Sequence, residues 1–160
     1  MKKKNIVVVG GGTGNRTTLT GLKDQNCNLS AVVAMTDSGG SSGGLRDELG
    51  QLPPGDIRQC LIALSDETKG HLMSRLFEYR FSSGNGLSGH NFGNLLLTAL
   101  TEVTGNTITA INAASELLGV QGQVLPVTLT RSDLVSMLVD GTELACESVI
   151  YLRMEDLNHG

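Results

Sequence analysis

The sequence predicts an α/β fold with a mainly parallel sheet and a C-terminal β-hairpin. Three observations carry that reading. A β-branched run at residues 5–9 stops at "GGGTG" and passes at once into a helical pattern. A second apolar strand, "LSAVVAM" at 29–35, follows at the length of one βαβ unit. Near the end, two apolar runs flank Asp140-Gly141, a strong two-residue hairpin signal.

The elements follow in order. Residues 5–9 read as a buried strand, and Leu19 and Leu22, three apart, mark a helix over 16–23. The strands at 5–9 and 29–35 should then be parallel neighbours joined by a right-handed crossover. "TDSGGSSGG" follows the second strand, where open α/β sheets place ligand loops; a flexible linker is the competing reading. Pro53-Pro54 bars helix just upstream, and Asp56 is placed to cap a helix running to about Leu64. "HLMSRLFEYRF" gives an amphipathic helix with Leu72, Leu76 and Tyr79 on one face. "SSGNGLSGHNFGN" is a second glycine-rich loop, opening into a helix that Gly105 stops. A further helix over 107–118 stops at Gly119. Phe92, Leu95, Leu96 and Leu97 are expected in the core.

Composition narrows the function. A chain of 160 residues fits one domain or half of a larger one. Hydrophobic residues at 39% and charged residues at 18% are ordinary for a globular protein. A net charge of -4 argues against nucleic acid or an anionic membrane as partner. Aromatic residues at 3%, with no Trp, leave no base-stacking platform. Cys27, Cys60 and Cys146 contain no CxxC and read as reduced thiols rather than a disulfide or zinc site. Lys2, Lys3 and Lys4 precede an apolar run too short for a signal sequence, and no segment is long enough to span a bilayer. The expected location is cytoplasmic.

Glycine between a strand and a helix turns tightly, admits close approach and leaves N–H groups pointing outward. With a helix dipole behind them, those groups form a phosphate site. Gly10, Gly11, Gly12, Thr13 and Gly14 meet that description; a tight turn needing glycine for packing alone is the alternative. The dinucleotide fingerprint GxGxxG lacks its third glycine, since Asn15 or Thr17 stands there, and no Walker A lysine follows. Asp37 lies near where a ribose-binding acid would sit, so an NAD-dependent enzyme remains a rival reading.

Other candidate residues cluster around the two glycine-rich loops. Gly39, Gly40, Ser41 and Ser42 belong to the first. Asp37 and Asp56 could ligate a magnesium ion bridging a diphosphate; a loop brace and a helix cap are their plain alternatives. Arg46 and Arg58 could clamp phosphate oxygens, although Arg46 could equally pair with Asp47 or Glu48. His90, Asn91 and Asn94 stand where the second loop enters its helix and could face the same crevice. His71 and His159 read as surface. Nothing resembles a nucleophilic triad, so any chemistry would be metal-assisted group transfer with electrostatic stabilisation.

"VVVGGGTG", "TDSGGSSGGLRDELGQLPPGDIRQCLIAL", "LFEYRF", "GLSGHNFGNLLLTALTEVTG" and "DGTELACES", in this order, resemble the bacterial gluconeogenesis factor family. These are nucleotide-sugar-binding relatives of 2-phospho-L-lactate transferase. The resemblance covers about 6–148 and implies a Rossmann-like three-layer fold. It also implies binding of a UDP-activated amino sugar such as UDP-N-acetylglucosamine. The implied role is regulation of cell shape and cell-wall precursor supply on gluconeogenic carbon. Magnesium is the implied ion, no organic cofactor is required, and a homo-oligomer is an open possibility. The alternative implied by the same relatives is a transferase of phosphate-linked groups, with Asp37 and Asp56 at its reaction centre. Residues 1–160 would form a single Rossmann-like domain, the N-terminal half of a longer family fold. The chain departs from the family pattern at Asn15-Arg16, where small or apolar residues are usual, and at Gly44, where a basic residue is usual.

Overall fold

The structure is a computed structural model describing residues 2–145 and 149–150; side chains at 46–48 and 67–71 fall outside that set. Its elements are β1 (Lys4–Gly10), α1 (Gly12–Leu22), β2 (Cys27–Val33), α2 (Gly40–Leu49), α3 (Gly55–Ala63) and α4 (Glu67–Glu78). They continue with α5 (Phe92–Thr104), α6 (Thr107–Leu118), β3 (Gln123–Pro126), β4 (Val135–Met137) and β5 (Glu143–Ala145). β1, β2 and β3 form a parallel sheet in that order, and β4 and β5 an antiparallel hairpin. The expected α/β class, parallel pairing and hairpin all hold.

The sheet has two unlike faces. In one register set, Ile6, Val8 and Gly10 align with Leu29, Ala31 and Val33, and the last two align with Val124 and Pro126. This face lies under the helices, where Leu19, Ile57, Leu61, Phe77, Leu97 and Ile111 complete the core. The alternate set faces outward. Val7 is 58% exposed, Val9 71%, Leu125 40% and Val127 59%. Alternation along each strand therefore puts apolar side chains on both faces, as parallel sheets do, but only one face is covered among the described residues.

Several elements differ from expectation. α1 starts at Gly12, four positions early, because Gly11 takes an extended N-cap conformation and the glycines enter the first turn. Gly40–Gly44 are helical, not loop: α2 forms there despite weak propensity because its first turn is bonded to α5. Pro54, not Asp56, occupies the N-cap of α3, and Asp56 lies in its first turn. Among the described side chains of α4 Phe77 is the buried one, whereas Leu72 is 69% exposed and Tyr79, just past the end of the helix, 50%. Tyr79 instead packs edge-on against Phe81, with ring centroids 5.1 Å apart. Phe92, Leu95 and Leu96 are half-buried, and Leu97 is in the core as expected. β3 was unmarked in the sequence, being four residues long. The left-handed stops hold: Gly105 and Gly119 have φ of 67° and 61°. Among the described residues, no helix is long and apolar enough to cross a membrane.

Candidate functional site

The site is built at the carboxyl ends of β1 and β2, where open α/β sheets hold ligands. The Gly10 carbonyl accepts from Ala34 N at 2.9 Å and from the buried Asn15 Nδ2 at 3.1 Å. Asn15 also reaches the Val32 carbonyl at 3.4 Å, so one carboxamide ties both strand ends to the first turn of α1. The residue that broke the dinucleotide fingerprint is thus a strap.

Gly12 is buried against α3. A Cβ there would strike Asp56 Oδ1 and come within 2.7 Å of Gln59 Nε2 and 3.1 Å of Asp56 Cα. A Cβ on Gly11 would lie 3.2 Å from Asp56 Oδ2. The Asp56 carboxylate therefore lies over the amino end of α1, where the helix dipole favours negative charge. Gly14, by contrast, is exposed with nothing within 4 Å of its Cβ position. Neither packing nor a positive φ requires glycine at 14.

The first turn of α2 meets those of α3 and α5. Asp37 Oδ1 accepts from Gly39 N at 2.9 Å, bracing the approach to α2. Its other oxygen lies 2.5 Å from where a Gly55 Cβ would stand, a place also pressed by Ser42 Oγ. Asn91 caps α5 by accepting from Asn94 N at 3.1 Å. Asn94 Nδ2 donates to Ser41 Oγ and Ser42 Oγ, each at 3.3 Å, and Asn91 N donates to Ser41 Oγ at 3.1 Å. Ser41 Oγ lies 3.3 Å from His90 Nδ1. Arg58 Nε donates to Asn94 Oδ1 at 2.9 Å and Nη1 to the Phe77 carbonyl at 3.2 Å. Gly93 makes room for this, since a Cβ there would sit 2.8 Å from Arg58 Cδ.

Charges of both signs gather around Arg58. Burial, then the neighbouring Arg80 and Arg16 guanidiniums, lower the pKa of Arg58 from its ordinary value, against the pull of Glu78 and Asp37. Three arginines thus share one locality, with Arg16 paired to Glu78 at 2.5 Å across the surface. Behind them, burial pushes the Cys60 thiol up to about 11, opposed by its Asn15 hydrogen bond. That thiol is a protonated core group, not a nucleophile.

Of the sequence-derived candidates, Gly11, Gly12 and Asp56 meet at α1–α3. Asp37, Ser41, Ser42, Arg58, His90, Asn91 and Asn94 meet at α2–α3–α5. Thr13 and Gly39 are exposed at the margins, and Gly40 opens α2. The Arg46 side chain, the His71 side chain, Cys146 and His159 lie outside the described residues. Sequence reasoning missed Asn15, Gln59, Gly55 and Gly93; Gly55 was visible as the glycine of "PPGD", Gln59 had no signal. Among the described residues, no group of three or more His, Cys, Asp or Glu could hold a metal alone. Asp37 and Asp56 suit magnesium only as that ion is commonly held, by one or two carboxylates with phosphate oxygens and water completing the shell.

Comparison with known proteins gives the chain a family and a fold. The family described as 2-phospho-L-lactate transferase CofD matches residues 6–158. A relative from Nostoc sp. is 54% identical over 91% of this chain and 31% of its own length. A gluconeogenesis factor from Halalkalibacterium halodurans is 48% identical over 94% of this chain and 46% of its own. A crystal structure of a Bacillus halodurans protein superposes with a TM-score of 0.90 at 47% identity, covering 95% of this chain and 48% of that one. The chain thus spans about a third to a half of the relatives it matches.

Proposed function

The chain belongs to the 2-phospho-L-lactate transferase CofD family, and from that premise we propose that it binds the diphosphate of a nucleotide sugar, of the UDP-sugar class, as a regulatory protein of the gluconeogenesis factor kind. One observation carries the reading: the first turns of α1, α2, α3 and α5 meet at the carboxyl ends of β1 and β2. Helix amino ends present N–H groups and partial positive charge, and four of them together suit two linked phosphates. Arg58 adds a formal charge, and Asp37 and Asp56 would hold magnesium against the diphosphate. The cellular role that fits is cytoplasmic control of cell shape and wall-precursor supply on gluconeogenic carbon.

A second reading, magnesium-dependent transfer of a phosphate-linked group, rests on the same two carboxylates. The regulatory reading is favoured because the hydroxyls and the thiol at the site are committed: Ser41 accepts two N–H bonds and Cys60 is buried. Calorimetric titration with UDP-N-acetylglucosamine, NAD and GTP, with and without magnesium, tests this. Selective, magnesium-strengthened binding of the UDP-sugar is expected. Preference for NAD would sink the proposal, and turnover of a phosphate-linked donor would replace it with the transferase reading.

A further inference from the structure

We propose that His90 offers a fixed Nε2–H donor to an acceptor oxygen of the bound phosphate ligand, its tautomer dictated by a chain of hydrogen bonds that starts at Arg58. The proposal rests on the nucleotide-sugar reading for its ligand, and on donor counting for its atom.

A guanidinium only donates. Arg58 Nε, 2.9 Å from Asn94, therefore identifies the facing atom as Oδ1, which fixes the carboxamide orientation and makes Nδ2 the group facing Ser41 and Ser42. A hydroxyl has two acceptor lobes and one proton. At Ser41 both lobes are filled by groups that can only donate there, Asn91 N and Asn94 Nδ2. The Ser41 proton must go elsewhere, and His90 Nδ1, at 3.3 Å, is the acceptor in place. A neutral imidazole accepting at Nδ1 carries its hydrogen on Nε2.

The ring is held as well as polarised. Its Cε1 lies 3.7 Å from where a Gly44 Cβ would stand, and Nε2 is the next atom of the ring. Nε2 has no partner among the described residues and is not buried. A directed N–H beside the amino end of α2 matches a non-bridging phosphoryl oxygen. The other tautomer would present a lone pair there and repel it.

The experiment has two arms on the full chain. Long-range proton–nitrogen NMR of the 15N-histidine-labelled protein reads the tautomer, with His90→Gln assigning the signal. A predominantly Nε2–H ring that relaxes toward a mixture in Ser41→Ala is expected; an Nδ1–H ring, or no change on Ser41→Ala, overturns the proposal. Titration with UDP-N-acetylglucosamine reads the donor. His90→Asn, too short to reach the Nε2 position, should weaken binding about tenfold, and His90→Gln should recover most of it. Equal binding by parent and His90→Asn overturns the role of His90 alone. Absence of binding by the parent overturns the nucleotide-sugar reading itself, and with it the ligand assigned to Nε2.

Discussion

Gly14→Ala separates the two uses of glycine at the start of α1. The residue is helical, exposed and has nothing within 4 Å of its Cβ position. Adding a methyl there meets no protein atom and removes the backbone freedom of glycine in the unfolded chain. Helix propensity and unfolded-state entropy together put the gain at about 0.5–1 kcal/mol. For a chain of this size that is a rise in Tm of roughly 1–4 °C. If a phosphate rests on this turn, the same methyl intrudes on it, so UDP-sugar affinity should fall at least about tenfold, or about 1.4 kcal/mol. Gly12→Ala is the counter-case. Its Cβ meets Asp56 Cα at 3.1 Å, a backbone atom that cannot turn aside, and overpacking of that kind costs about 1–3 kcal/mol. It should lower Tm, so loss of binding there reports packing rather than ligand contact. Thermal melts by circular dichroism and titration calorimetry on both variants decide the matter. A more stable Gly14→Ala protein that binds like the parent would refute a phosphate on this turn, and a destabilised one would refute the open space.

Three further outcomes are expected. Asp56→Asn should leave the melt nearly unchanged and weaken UDP-sugar binding only when magnesium is present; turnover lost with affinity kept would favour the transferase instead. Burial raises the pKa of Cys60 from 9 to about 11, so its contribution to stability is complete below pH 9 and is lost as pH climbs from 9 toward 11. Denaturant titrations across that window should show Cys60→Ala with the flatter profile, by up to about 1.4 kcal/mol per pH unit; parallel profiles would argue against a protonated buried thiol. The sheet face left open among the described residues should make the chain self-associate in sedimentation, and Val9→Lys should shift it toward monomer; a parent that is monomeric at all concentrations contradicts this.

What the sequence disclosed follows the strength of local signals. α5 and α6 were legible because each is stopped by a glycine that takes a positive φ; their asparagine caps, Asn91 and Asn106, emerged only in the structure. The hairpin was legible from one dipeptide, Asp140-Gly141, whose Asp140 Oδ1 accepts from Thr142 N at 2.9 Å. α2 was hidden because glycine and serine carry no helical signal, and its support comes from Asn94, more than fifty positions away. The buried side of α4 was misjudged because Phe77, not Leu72, meets the core, a choice made by the neighbours rather than by the period. At the site, residue types were readable and distances were not. Gly11 and Gly12 looked like ligand glycines, and the close approach found in the chain is to Asp56.

The make-up of α2 has a consequence for how the molecule spends its time. Its opening turn is Gly40-Ser41-Ser42-Gly43-Gly44, whose intrinsic cost as helix is about 4 kcal/mol relative to alanine. Such a turn persists only while Asn94 and its neighbours grip it. Segments of this kind open long before the global transition, and their amides exchange with solvent at rates set by that local opening. A ligand seated on the turn closes it by mass action. Deuterium uptake at Ser41–Gly44, slowed by ligand while the amides of α5 and α6 keep their pace, is where occupancy would first be felt, which makes α2 a timekeeper for the bound state.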